Sequence, residues 1–368
     1  MKITFVLPDA GLAGGIRVVA IYAERLKKRG HEVFVVSTPL GQPSLLQQVK
    51  SLVRGQGWLS VAKNQPSHFD GLDVQHQVLD RWRPIVDNDV PDADVIVATW
   101  WETAEWVGNL SEAKGAKAYF IQHHEVFDYL PKERVAATWS LPMHKITISQ
   151  WLLDLAQTQY GDGNVSLVPN SVDTEQFYAP PRGKQIIPTV GMLYSLAYWK
   201  GCDVSFKAFS LAAQKLPELR LIAFGWDAPS ADLPLPVGIE YIQRPAQKVI
   251  NDIYASCDVW LCGSWSEGFH LPPLEAMACR CPLVSTRVGG PLDIVEDGIN
   301  GYLVPVGDFT VLANQLFHVL TLPEAEWRMM SDAAYTTATR YTWDDATERF
   351  EAALQTAIDR WRRGEFLS

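Results

Sequence analysis

Glu267 and Glu275 bracket the stretch Ser264-Trp-Ser-Glu-Gly-Phe-His-Leu-Pro-Pro-Leu-Glu275, whose residue types suit a ligand carrying both an anion and hydroxyl groups. Proline fits the first turn of a helix, where the amide it lacks has no partner anyway. The Pro272-Pro273 pair followed by Leu274–Ala278 therefore predicts a helix start, with Glu267 on the preceding loop and Glu275 in the first turn. The backbone N–H groups of Phe269, His270 and Leu271 then line a helix N-terminus, which favours an anion, while the carboxylates accept from nearby hydroxyls. A nucleoside diphosphate sugar offers a pyrophosphate and two sets of sugar hydroxyls together.

Other residues have types that suit the same kind of ligand. Gly14-Gly15 lies between a first strand and a first helix, where glycine permits positive φ and close backbone approach. Trp100-Trp101-Glu102 follows a strand, with Trp106 close by; aromatic rings there can stack on sugars and a carboxylate can bind hydroxyls, and the same residues can equally pack a core. His123 and His124 follow another strand. Asp92-x-Asp94 has metal-pair spacing, but it precedes a strand and reads as a solvated turn, so no metal site is expected. A nicotinamide dinucleotide site is the weaker reading: the glycine loop lacks G-x-G-x-x-G, and Ser37-Thr38 stands where an acidic ribose ligand is expected.

These side chains need a frame. Lys2–Leu7 reads as a buried strand, Asp9–Gly15 as a glycine-rich turn, and Ile16–Arg29 as a helix with Val19, Ala23 and Leu26 on one face, stopped by Gly30. His31–Ser37 is the next strand, and a strand–helix–strand unit implies a parallel sheet. Asp94–Thr99, Ala118–Gln122 and Lys145–Ser149 read as further strands; residues 40–90, with Trp58, read as a helix followed by a mobile loop. A second series, Thr189–Leu193, Leu219–Phe224, Val259–Cys262 and Pro282–Ser285, begins after Pro180-Pro-Arg-Gly183, so the proline pair reads as a semi-rigid linker. The expected architecture is α/β, with domains over 1–175 and 187–342. Thr342 and Asp345 form a capping-box pattern for a helix over about 343–363, with Phe350, Leu354, Ile358 and Trp361 on one stripe. Within the segment 343–368, that helix packs either on its own domain or back across the first.

Composition narrows the class. A chain of 368 residues suggests about two domains, and 47% hydrophobic against 20% charged residues supports large cores. The net charge of −10, without a basic footprint, argues against nucleic acid as the main partner and against a strong electrostatic grip on anionic membrane. The five cysteines, Cys202, Cys257, Cys262, Cys279 and Cys281, form no Cys-x-x-Cys pair and read as reduced thiols of a cytoplasmic protein. The start of the chain shows no signal-peptide pattern, and no apolar stretch reaches membrane-spanning length.

The chain resembles the family-4 glycosyltransferases of the GT-B fold. The resemblance is carried by Val168-Pro-Asn-Ser-Val-Asp173 with Phe177, Lys200-Gly201, Tyr254-Ala-Ser-Cys-Asp258, the Glu267–Glu275 stretch, Thr286-Arg-Val-Gly-Gly290 and Asp297-Gly-Ile-Asn-Gly-Tyr-Leu-Val-Pro305. It implies two Rossmann-like domains with parallel sheets facing an interdomain cleft that closes on its substrates. Glu275 matches the position that binds the nucleotide ribose, Glu267 the position facing the donor sugar, and Lys200 the cation on the donor diphosphate, where its charge would stabilise the leaving group. Gly14 and Gly15 match a loop near the donor phosphates and acceptor. His123, with His124 in reserve, matches a cleft histidine that either polarises or positions the sugar; no proton-transfer role is assigned. Arg17, Trp100, Trp101, Glu102 and His124 are the acceptor-side candidates. The sequence departs from the family at Met192, where an arginine is common and for which Arg244 or Arg17 could substitute, and at Arg280, where glycine is common.

The expected activity is transfer of a sugar, with retention, from a nucleotide diphosphate sugar to a glycan, glycolipid or other hydroxyl acceptor, with no metal and no other cofactor. Same-face departure and attack is the expected route, and base choice falls to the loops Gly225–Asp227 and Arg244–Gln247. A lipid-linked acceptor would bring peripheral contact with the inner face of a membrane through Arg17, Arg25 and Lys27–Arg29. The alternatives are a sugar-nucleotide epimerase or hydrolase, which would turn over donor alone, and a binding or assembly protein that has lost catalysis.

Overall fold

In the computed structural model, residues 1–39 and 66–366 are described; the helix expected early in the 40–90 stretch lies outside the described residues. Two compact units emerge: Met1–Thr147 with Leu152–Val168 and Thr347–Ser368, and Ile148–Trp151 with Pro169–Ala346. The division therefore falls at Pro169, ahead of the Pro180-Pro181 pair.

The first unit holds β1 (Lys2–Leu7), β2 (Glu32–Ser37), β3 (Gln75–Val78), β4 (Val95–Ala98), β5 (Ala116–Ile121), β6 (His144–Thr147) and β7 (Ser166–Leu167). They form one parallel sheet in the order β3-β2-β1-β4-β5-β6-β7. Strands β1, β4 and β5 are apolar almost throughout because parallel strands are covered on both faces. Helix α1 (Gly14–Lys28) buries Ile16, Val19, Ala23 and Leu26 at helical spacing. It ends as the sequence suggests: Gly30 takes φ 89°, its N–H bonds the Lys27 carbonyl, and the His31 N–H bonds the Leu26 carbonyl. Such a left-handed residue satisfies the last carbonyls of a helix. Helices α2 (Trp101–Gly108), α3 (Lys132–Ala137) and α4 (Gln150–Thr158) follow.

The second unit repeats the plan with β8 (Thr189–Tyr194), β9 (Arg220–Gly225), β10 (Glu240–Gln243), β11 (Val259–Cys262), β12 (Leu283–Thr286) and β13 (Gly301–Val304), in the order β10-β9-β8-β11-β12-β13, again parallel. Its helices are α5 (Cys202–Lys215), α6 (Gln247–Ala255), α7 (Leu271–Ala278), α8 (Pro291–Ile294), α9 (Phe309–Thr321) and α10 (Glu324–Thr339). One core joins Val204, Ala208, Leu312, Leu316 and Trp327 to the sheet, and Met192 lies inside it. A second aromatic group, Phe224, Tyr254 and Trp260, has ring centroids 4.7–5.8 Å apart.

The last helix, α11 (Trp343–Arg362), opens on the expected capping box: the Asp345 N–H donates to Thr342 Oγ1 at 3.1 Å and the Thr342 N–H to Asp345 Oδ2 at 2.8 Å. From Thr347 onward it belongs to the first unit. Phe350 is fully buried there, stacked on Tyr22 at 4.3 Å and edge-on to Phe120 at 5.0 Å. Glu351 pairs with Arg29 at 2.8 Å.

Candidate functional site

Both sheets reverse direction of growth beside their first strand, between β1 and β4 and between β8 and β11. In open parallel sheets ligands bind outside the carboxyl ends of the strands at such a point. The residues singled out from sequence lie in loops leaving strand carboxyl ends or in the helices that follow those loops.

In the second unit β8 runs through Ser195–Ala197 into a single 3-10 turn, Tyr198–Lys200, and β11 runs into the loop that carries Glu267. Gly201 joins the two. It sits at φ 54°, and a Cβ there would stand 1.9 Å from the Gly263 carbonyl oxygen, so only glycine lets the Lys200 turn rest against the β11 loop. Gly289, at φ 48°, closes the other side, where a Cβ would lie 2.7 Å from the Glu267 carbonyl oxygen. The Gly290 N–H then donates to the Phe269 carbonyl at 2.8 Å.

Between these walls Lys200 Nζ grips both oxygens of Glu267, at 3.0 and 2.8 Å, and Ser264 Oγ donates to Glu267 Oε1 at 2.8 Å. Burial alone would raise the pKa of Glu267; the charges of His270 and Lys200 and the bonds from Lys200 and Ser264 outweigh it and hold the carboxyl below the usual carboxylate range. His270 stands on the other side, its Nε2 3.6 Å from Glu267 Oε1 and its Nδ1 3.3 Å from Cys262 Sγ. Burial pushes the Cys202 and Cys257 thiols up to about 12, whereas at Cys262 the His270 charge and hydrogen bonds overcome burial and draw the thiol down.

Helix α7 starts at Leu271 after His270 at φ 73°, so Glu275 is its fifth residue and not in the first turn. The reason is that the chain enters the helix one residue ahead of the proline pair. With Pro272 and Pro273 next, the amide donors at this helix start are few, chiefly Phe269, His270 and Leu271. Glu275 is buried and accepts from Tyr254 Oη at 2.9 Å. Arg244, at φ 50°, follows β10; its guanidinium lies 4.3 Å over the Trp226 ring and Nε donates to the Trp226 carbonyl. The missing arginine at Met192 would point into a closed apolar core. Arg280 follows Cys279, the C-cap of α7, at φ 61°, the conformation that favours glycine. Its side chain bonds the Ala179 carbonyl, pairs with Asp332 and covers the Tyr335 ring at 4.3 Å, fastening α7 to α10.

In the first unit Gly14 and Gly15 open α1, and neither takes the positive φ the sequence suggested; Gly15 serves by close approach, since its carbonyl accepts from Gln122 Nε2 at 3.2 Å. Arg17 lies in the same helical turn, half-buried and near His68. Trp101 is buried in the core under Arg134, 5.0 Å away, which takes its ring out of the stacking surface expected for Trp100-Trp101-Glu102; Trp100 and Glu102 remain half-buried. His123 Nδ1 accepts the Glu125 N–H at 3.1 Å, so its proton sits on Nε2. His124 bonds Tyr160 Oη at 2.8 Å and lies against Trp139, an anchoring role.

Glu125 escaped the sequence reading. It is buried at φ 60°, accepts the Trp101 N–H at 3.0 Å, and burial pushes its carboxyl well above the usual range. Ser264, Cys262 and Tyr254 also gain their roles only from the fold. Asp92 pairs with Lys114, and Asp94 accepts from the Lys2 N–H; among the described residues no cluster of His, Cys, Asp or Glu is placed to hold a metal ion. Lys27, Lys28 and Arg29 of the basic stretch each pair with a carboxylate, Asp73, Glu24 and Glu351. Among the described residues no helix is long and apolar enough to cross a membrane.

Comparison with known proteins gives this geometry its class. The profile described as Glycosyltransferase Family 4 matches residues 13–176, and that described as Glycosyl transferases group 1 matches residues 184–321. The chain belongs to this family of glycosyltransferases. The D-inositol 3-phosphate glycosyltransferase of Mycobacterium leprae is 28% identical over 193 residues, 48% of this chain and 43% of that protein, so the chain spans under half the length of that curated relative. Among solved structures, HepE of Anabaena in complex with UDP and glucose superposes with TM-score 0.71 at 18% identity over 96% of this chain and 99% of that one. Sucrose-phosphate synthase of Thermosynechococcus elongatus gives TM-score 0.71 at 14% identity over 98% and 99%. The two parallel-sheet units are thus Rossmann-like domains of the GT-B type.

Proposed function

We propose that the chain is a retaining glycosyltransferase that takes a hexosyl group from a nucleotide diphosphate sugar to a hydroxyl acceptor without a metal ion. The observation that carries this reading is the Lys200–Glu267–Ser264 cluster at the carboxyl ends of β8 and β11, in a chain of this family. Lys200 is the group for the diphosphate and stabilises the charge that grows on the leaving group. Glu267 receives donor-sugar hydroxyls, and Glu275, held by Tyr254, receives those of the ribose. Phe269, His270 and Leu271 offer their amides, and Arg244 over Trp226 lies beside the base. The second unit is the donor domain. The first presents the acceptor, with His123 Nε2–H as a hydroxyl donor and Gly14, Gly15, Arg17, Trp100 and Glu102 around it. The complexes of HepE with UDP and with UDP-glucose support a uridine nucleotide as the first donor to try. Polysaccharide or glycolipid assembly in the cytoplasm is the setting that fits the class.

The test is calorimetric titration of nucleoside diphosphates and their sugars into wild type, Glu275→Gln and Glu275→Ala. Gln keeps an acceptor for Tyr254, so it separates folding from binding. One nucleotide should bind tightly and lose roughly 10- to 100-fold in affinity with Ala, the scale of hydrogen bonds to a charged group. Binding by none would refute the donor site, and an inverted anomeric centre in the product of a single turnover would refute retention.

A further inference from the structure

His270 is the one histidine of the second unit's site, and its side chain is used in a way the backbone role does not require. The residue stands in the left-handed region, at φ 73° and ψ 80°, a conformation costly for a residue other than glycine. Its side chain is only 4% exposed, and its Nε2 is a buried nitrogen with no hydrogen-bond partner. That nitrogen faces Glu267 Oε1 from 3.6 Å, just beyond bonding distance. A bare lone pair facing a carboxylate oxygen would be repelled, so a proton belongs on Nε2, while Nδ1 faces Cys262 Sγ at 3.3 Å. His270 thus holds a donor that stops short of its acceptor.

The reason for a waiting donor lies in the charge on Glu267. Its side chain is 5% exposed, and the cation bonded to it is Lys200, which is 24% exposed and the more able to turn. A buried carboxylate that loses its partner is strongly destabilised. If Lys200 is drawn to a diphosphate, Glu267 loses up to two hydrogen bonds at once. Ser264 alone would remain. A shift of well under an ångström by the imidazole would replace the missing contact.

We propose that His270 is a positioning residue of the donor site: its Nε2–H takes over Glu267 when Lys200 turns to the diphosphate, so that the lysine can leave without stranding a buried charge. This rests on the reading of Lys200 as the diphosphate cation.

His270→Gly is a clean perturbation, because glycine adopts positive φ without strain and the loop should fold as before; thermal unfolding checks this. UDP, GDP, ADP and TDP are titrated into the intact wild-type chain, and the tightest is compared with its phosphate-free nucleoside. His270→Gly should weaken the diphosphate roughly 10- to 100-fold, the scale of a hydrogen bond to a buried charge, and leave the nucleoside unchanged. His270→Gln, whose amide nitrogen reaches about as far as Nε2, should restore much of the affinity. In a Lys200→Ala background the His270→Gly loss should vanish, because there is no lysine to release. Diphosphate binding unchanged in His270→Gly, or an equal loss with and without Lys200, overturns the proposal while leaving the donor site intact. Tight binding by wild type that Lys200→Ala leaves untouched overturns the reading of Lys200 and the proposal with it, as does failure of all four nucleotides to bind.

Discussion

Acid should loosen the first unit through His144. This residue opens β6 and is buried, with Nε2 2.9 Å from Ser166 Oγ and Nδ1 3.0 Å from Arg360 Nη1 on α11. A guanidinium can only donate, so Nδ1 must accept, and the proton sits on Nε2 facing the serine. Protonating Nδ1 would set N–H against N–H and a second positive charge beside Arg360. Burial first, then the charges of Arg360 and Lys145, lower the pKa to about 4, against the opposite pull of Asp162 and Glu365. The folded value is below the unfolded 6.5, so the unfolded chain binds the proton first as pH falls. The stabilisation is whole above 6.5 and drains away towards 4. One pKa unit is about 1.36 kcal/mol, so the loss is about 2 kcal/mol at pH 5 and about 3 kcal/mol by pH 4. The comparison is wild type against His144→Gln, whose amide can accept from Arg360 and donate to Ser166 but does not titrate. Urea unfolding at pH 7 and pH 5, with hydrogen exchange of α11 amides to assign the transition to this unit, measures the difference between their pH dependences. Wild type should lose about 2 kcal/mol more than the variant. Parallel pH dependences would refute both the tautomer and the linkage.

Phe350→Ala should remove about 3–5 kcal/mol from the same unit, because the ring is fully buried against Tyr22 and Phe120; denaturant unfolding reads it directly. Arg280→Ala should be worse than Arg280→Gly by about 1 kcal/mol in the melting of the second unit, since both lose the Asp332 and Tyr335 contacts but only glycine relieves the φ of 61°. Gly201→Ala should leave a folded chain that binds nucleoside diphosphate poorly, because a Cβ 1.9 Å from the Gly263 carbonyl must push the Lys200 turn away; unaltered affinity would contradict that packing.

The strands seen in the sequence are those covered on both faces, such as Phe5–Leu7 of β1 and Val95–Ala98 of β4. Strands β3, β7, β10 and β13 were not read, and all four are sheet edges. An edge strand is half wet, so β3 (Gln-His-Gln-Val) and β10 (Glu-Tyr-Ile-Gln) carry no apolar run to find. The Glu267–Glu275 stretch was legible because its parts are close in sequence and proline marks the helix. Lys200 came into view through resemblance, because nothing local ties it to a carboxylate 67 positions on. Contacts made by return of the chain were out of reach: Tyr254 on Glu275, Cys262 on His270, Glu125 on Trp101. Each joins groups whose meeting depends on where strands end.

The return of α11 to the first unit also orders events in time. A ribosome makes β1 to β7 first, then all of Pro169–Ala346, and only afterwards the residues from Thr347 that complete the first unit. Until Phe350 emerges, the faces of Phe5, Tyr22 and Phe120 that it covers have nothing against them. Exposed apolar surface of this kind invites aggregation and chaperone capture. The unit begun first is thus the one finished last, and a nascent chain stopped before residue 347 would carry a complete second unit beside a sticky, unfinished first.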